Sequence, residues 1–125
     1  MSDRTYYRNR KDKPLVWLYG EVRTPPFSPV ARVEAGFLLR KLQQGEELGM
    51  PHFRPMASVG ARCGELRIKD IDHDWRIMVR TDADAVIVLA VFSKRTRPTP
   101  RRVLENCRRR LRQYDRAASG KAKKT

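Results

Sequence analysis

This sequence is poor in cysteine, in acid and in long apolar runs. Its two cysteines, Cys63 and Cys107, stand far apart, without the close spacing of metal ligands. Adding His52 and His73 produces no zinc pattern, so neither a metal nor a cofactor is expected. Two isolated thiols fit a reducing compartment and exclude a disulfide scaffold, which points to a cytoplasmic protein. No apolar stretch approaches membrane-spanning length, and the polar, charged start lacks the pattern of a secretory signal. Membrane insertion is therefore not expected. A P-loop, a dinucleotide fingerprint and internal repeats are missing as well.

The shortage of acid is the informative one. Fourteen acidic residues face 28 lysines and arginines, a formal net charge of +14 over 125 residues. With the eight terminal cations and the acids Asp3 and Asp12 set aside, twenty cations still face twelve acids, about +8 in the body of the chain. Such a field attracts polyanions, and nucleic acid is the commonest.

The length suits one domain with a modest core. Residues 1–12 are basic and poor in aliphatics and read as a flexible arm; residues 13–117 form the domain; 118–125 read as a basic tail. Residues 15–22 predict a first strand, apolar on both faces. Ser28-Pro29 predicts a helix start, with serine as N-cap and proline at the first helical position. Ala31, Ala35, Leu38 and Leu42 form its stripe, widened by Val30, Phe37 and Leu39, and Gly45 ends it. The glycines and prolines of 46–62 predict loops and broken turns. Residues 65–71 and 75–80 alternate as paired strands, and 85–92 read as a central strand covered on both faces. Thr99-Pro100 repeats the cap-plus-proline start, with Val103, Cys107, Leu111 and Tyr114 as the stripe of a last helix. The whole predicts an α+β fold: a small, mainly antiparallel twisted sheet, N-terminal helices packed on one face, and a C-terminal helix.

Strand parity places Glu65, Arg67 and Lys69 on one face, and Arg76, Met78 and Arg80 on one face of the next strand. If the apolar faces coincide, Leu66 opposes Ile77 or Val79, and Arg67, Lys69, Arg76 and Arg80 crowd one side either way. Opposed like charges destabilise a ladder by about 0.2–1 kcal/mol per pair. A solvated face of unrelated cations is one reading. The other is a phosphate site, because guanidinium groups match phosphate oxygens bidentately.

Trp17 with Gly20-Glu21, the 28–42 helix with its Ala31-Arg32-Val33-Glu34-Ala35-Gly36, and Glu65-Leu66-Arg67 fall in a recognisable order. Trp75-Arg76-Ile77, Ala85-Val86-Ile87-Val88-Leu89, Phe92-Ser93-Lys94-Arg95 and Thr99-Pro100 continue it. Over about residues 13–117 the chain resembles the HigB-type, phage-derived branch of the RelE/ParE toxin superfamily. That resemblance implies the toxin of a type II toxin–antitoxin pair, a ribosome-dependent messenger RNA endonuclease working without metal or cofactor. Its implied partners are messenger RNA on the ribosome and a cognate antitoxin of helix-turn-helix type. Its implied site carries Arg67, Arg76 and Lys94; Lys69 and Arg80, which parity sets on the same side, and Arg95 beside Lys94 are the expected substrate contacts. The aromatic residue usual before Glu-Leu-Arg is replaced by Cys63-Gly64, and a common lysine pair by Lys94-Arg95.

Cleavage by the 2′-hydroxyl needs a base, charge stabilisation at phosphorus and a proton for the leaving 5′-oxygen. Arginine suits only the second task. The other two fall to Lys69, Lys94, His52 or His73, or to a ribosomal group. His52 is the histidine best placed, in the loop before the site, and a lysine crowded by cations has a lowered pKa. Trimming Arg76 or Lys94 is expected to cost little stability, as for any polar strand face. Three other readings stay open: a ParE-like poison of DNA gyrase, a phage-derived nucleic-acid-binding protein without enzymatic activity, and a degenerate toxin with no residual activity. The basic residues at 67, 76 and 94 favour the nuclease, since a gyrase binder needs no phosphate clamp.

Overall fold

The computed structural model describes residues 12–18, 26–94 and 98–124, with no side-chain description past Gly120. Its elements are β1 (Leu15–Trp17), α1 (Pro29–Gln43), β2 (Phe53–Pro55), β3 (Cys63–Lys69), β4 (Asp74–Thr81), β5 (Val86–Ser93) and α2 (Arg101–Lys124). The five strands form one sheet in the order β1-β5-β4-β3-β2. All neighbours are antiparallel except β1 and β5, which run parallel, Val16 beside Ile87. The α+β architecture is as the sequence predicts, except that one helix, between β1 and β2, stands where N-terminal helices were expected, among the described residues.

The predicted start of α1 holds. Ser28 has extended backbone and its hydroxyl oxygen accepts from Ala31 N at 3.2 Å, with Pro29 opening the helix. Asp70 fixes this end to the β3–β4 turn: its carboxylate accepts from Ser28 N at 2.9 Å and from Trp75 Nε1 at 3.1 Å. Hydrogen bonds from Ser28 first of all hold the Asp70 carboxyl far below the usual carboxylate range. Ala31, Ala35, Leu38, Leu39 and Leu42 pack on Leu66, Ile68, Trp75, Ile77 and Val79 in a first core. Val30 and Phe37 do not widen this stripe: they are 77% and 59% exposed, on the far side of the helix.

The second core lies on the other sheet face, where Cys107 and Leu111 of α2 meet Met78, Ile87, Leu89 and Ala90. A register shift at Met78/Val79 sets both Leu89 and Ala90 toward this core. Flanked by β1 and β4, β5 is buried from Val86 through Ala90, as its apolar run predicts.

Three features depart from the sequence reading. The strand predicted over 15–22 is three residues long in the described part, and 19–22 lie outside the described residues. Within the predicted loop of 46–62, β2 adds an edge strand, Phe53 opposite Leu66 and Arg54 opposite Glu65. Its phenylalanine ring covers Gly64, where a Cβ would lie 1.9 Å from Phe53 Cζ, so no side chain fits without moving the ring. Finally, α2 runs on to Lys124, through the segment read as a tail, and the 1–12 arm lies outside the described residues apart from Asp12.

Candidate functional site

The β3–β4 register is Leu66 against Ile77, which sets Arg67 against Arg76. Both arginines therefore lie on the face that α2 covers, and the helix covers only part of it. Beyond Met78 the cover ends, leaving a cleft of about 820 Å³ lined by Arg54, Arg67, Asp74, Arg76, Lys94 and Thr99, among others. A second recess of about 660 Å³ shares Arg67, Asp74 and Arg76 and adds Glu34, His52 and Lys69. The two hollows meet along one wall.

Glu65 organises the cleft. Its side chain is 0% exposed, 3.5 Å from Arg76 Nε and 3.8 Å from Lys94 Nζ, and it accepts a hydrogen bond from Thr99 Oγ1 at 3.2 Å. Thr99 was expected to cap α2; instead its hydroxyl turns to Glu65, and the carbonyl of Pro100 takes the first helical bonds from Val103 and Leu104. The Arg76 and Lys94 side chains are only 8% and 7% exposed. This overturns the expectation that trimming them costs little: Arg76 is half of a buried ion pair.

Arg76 donates through Nη1 to the carbonyl of Trp75 at 3.0 Å, and its Nε makes no hydrogen bond among the described residues. Donor capacity is therefore left on its fork. Burial lowers its pKa, with Arg67 pushing the same way and Glu65 and Asp74 opposing. Lys94 sits just past β5, its N–H bonded to the Asp74 carbonyl at 2.9 Å, which continues the ladder to the cleft. Burial lowers the pKa of its ammonium; Glu65 pulls it back up, and Arg76, Arg54 and Arg67 push it down again.

The remaining predicted residues divide. Arg67 joins the cleft, while Lys69 and His52 lie in the second recess, where His52 Nδ1 is 3.9 Å from Glu34 Oε1. His73 is held elsewhere, its Nδ1 3.1 Å from Ser93 Oγ and its ring against Trp75. Arg80 is not brought to the cleft. It shares the sheet face, but its guanidinium is clamped by Asp82 at 2.8 and 2.9 Å and by Asp115 of α2 at 2.9 and 2.8 Å. These acids raise its pKa and engage four of its five N–H donors, so Arg80 fastens the helix to the sheet. Arg95 lies outside the described residues.

Three participants escaped the sequence reading. Arg54 is masked in the sequence by prolines, Pro51 just before β2 and Pro55 as its last residue. Thr99 reads in the sequence as the cap of α2. Glu65 carried a usable signal, as the lone acid in phase with Arg67 and opposite a basic strand. Among the described residues no group of three histidine, cysteine or acidic side chains is assembled that could hold a metal ion. No described helix is long and apolar enough to cross a membrane.

Fold and site together define a small α+β protein with a cation-lined cleft at one end of an open sheet. The chain matches the family described as phage-derived protein Gp49-like (DUF891) over residues 26–112, and it belongs to that family. The family is associated with RelE/HigB-like toxins. No curated protein and no solved structure is matched.

Proposed function

We propose that this protein is the toxin of a type II toxin–antitoxin pair and that it cleaves messenger RNA on the ribosome. The observation that carries the reading is the convergence of Arg54, Arg67, Arg76 and Lys94 on one open cleft, against a single buried carboxylate. Four cations exceed what Glu65 and the exposed Asp74 can neutralise, and a phosphodiester supplies the missing negative charge. Membership of a family associated with RelE/HigB-like toxins supports the same reading and suggests an antitoxin as partner.

The chemistry divides among these side chains. Arg67 and Arg76 face charge that develops on the non-bridging phosphate oxygens, where preorganised donors are most effective. The 2′-oxygen attacks phosphorus, the bond to the 5′-oxygen breaks, and the products are a cyclic phosphate and a free 5′-hydroxyl. Lys94 gives its proton to the departing oxygen, a task made easier by its lowered pKa. His52, in the adjoining recess, takes the proton of the 2′-hydroxyl. Arg54 holds the neighbouring phosphate.

The test is induced expression with mapping of messenger RNA ends, comparing the native chain with Arg67→Ala and Lys94→Ala. New ends inside translated messages that disappear in the variants are expected, a loss of about 10²–10³ in rate for each donor removed. Altered DNA supercoiling without new RNA ends would replace this reading with gyrase inhibition. Absence of both, with growth unaffected, would leave a nonenzymatic nucleic-acid-binding protein.

A further inference from the structure

The outer face of α2 carries a row of arginines that the cleft does not use. Arg102, Arg109, Arg112 and Arg116 are all exposed and make no ion pair or hydrogen bond among the described residues. At 3.6 residues per turn they fall within an arc of about 80° and extend over about 21 Å of helix. The row lies opposite the buried stripe of Val103, Cys107, Leu111 and Tyr114. The described acids of the helix are already engaged, Glu105 with Arg101 at 3.3 Å and Asp115 with Arg80.

Local stability does not account for this row. Arg109 with Arg112, Arg108 with Arg112, and Arg112 with Arg116 are like charges at helical i,i+3 or i,i+4 spacing, each unfavourable to the helix. A membrane surface is a poor match, because the apolar stripe that would enter lipid is packed on the sheet. A linear array of forked cations instead fits the evenly spaced charges of a nucleic-acid backbone. The row begins at the cleft end of the helix, where Thr99, just before it, and Leu104, in its first turn, line that cavity.

We propose that the outer face of α2 is a docking strip for the phosphate backbone of duplex RNA. It grips structured ribosomal RNA while the cleft receives the single messenger strand. The choice of RNA rests on the function proposed above; the strip itself rests on the arginine row.

The test measures binding of a labelled RNA hairpin, and cosedimentation with ribosomes, as a function of salt. It compares the native chain with the triple variant Arg109→Gln, Arg112→Gln, Arg116→Gln. Glutamine is a good helix former, so the helix is retained and its repulsion relieved. The triple variant should bind the hairpin at least tenfold more weakly, with a salt slope shallower by about 2–3, since three fewer phosphates are neutralised. Its affinity for a short single-stranded oligonucleotide should stay unchanged. Unaltered hairpin affinity and slope would overturn the proposal, as would equal losses on the single-stranded probe. Duplex DNA or an acidic protein competing as well as duplex RNA would overturn the assignment to RNA. Should circular dichroism show the triple variant unfolded, Arg112→Gln alone should still cost about threefold, and no change would be decisive against the strip. Hairpin binding lost in the variant of a chain that never cleaves messenger RNA would uphold the strip and reject the nuclease. Cleavage with undiminished hairpin binding would do the reverse.

Discussion

Replacing Arg76 by methionine tests the buried heart of the cleft. The native pair, Arg76 Nε to Glu65 Oε1 at 3.5 Å, is almost wholly shielded from water. Removing one partner of a buried pair costs about 3–5 kcal/mol, chiefly because the other charge is stranded. Here two contacts soften the loss: Lys94 at 3.8 Å and the Thr99 hydroxyl at 3.2 Å still attend Glu65. Relief of the opposed Arg67 returns a further 0.2–1 kcal/mol, roughly, on the scale of cross-strand pairs. The single variant should therefore lose about 2–3 kcal/mol, at or just below the lower limit of that range. Glu65→Gln alone strands Arg76 and Lys94 beside each other and should cost a similar amount. The double variant, with no buried charge pair to break, should fall well short of the sum. A double-mutant cycle by urea unfolding at fixed salt is the assay, with an expected coupling of about 2 kcal/mol. At a typical slope of about 1–3 kcal/mol per molar urea, each single variant moves the midpoint by on the order of 1–2 M. A coupling below about 0.5 kcal/mol, the scatter of independent sites, would refute the claim that Glu65 and Arg76 act as a buried unit.

Gly64→Ala should destabilise the fold by about 1–3 kcal/mol, the cost of overpacking, because the new methyl meets the Phe53 ring. Adding Phe53→Ala should recover part of that loss, which thermal unfolding of the pair would read. Arg80→Ala should cost about 1.5–3 kcal/mol through its lost charge-assisted bonds to Asp82 and Asp115, yet leave RNA affinity of the folded protein unchanged. A parallel loss of affinity in folded protein would return Arg80 to the binding site. The cleavage rate should fall as pH rises through the pKa of Lys94, since the proton donor must be charged. Burial lowers that pKa, so the alkaline limb should lie below the ordinary lysine value of about 10.4. A pH–rate profile whose alkaline limb is unaltered in Lys94→Arg would remove Lys94 from the proton transfer.

Periodicity by itself determined the order of the long elements, because each amphipathic stripe has only one way to hide its apolar side. Ser28-Pro29 marked the true start of α1, and the 85–92 run could only be a strand covered on both faces. Parity was equally firm: Arg67 and Arg76 had to share a face, whichever register the hairpin chose. Which register it chose, and what covered that face, depended on contacts between residues distant in sequence. Tertiary structure alone decided that α2 covers only the Met78 end, that Glu65 is sealed beneath Thr99, and that Asp115 draws Arg80 away from the cleft. Strand alternation records only the side to which a residue points. Whether an arginine there meets solvent, a substrate or a buried carboxylate is set by the element packed above it, 34 residues along the chain for Glu65 and Thr99 and 35 for Arg80 and Asp115.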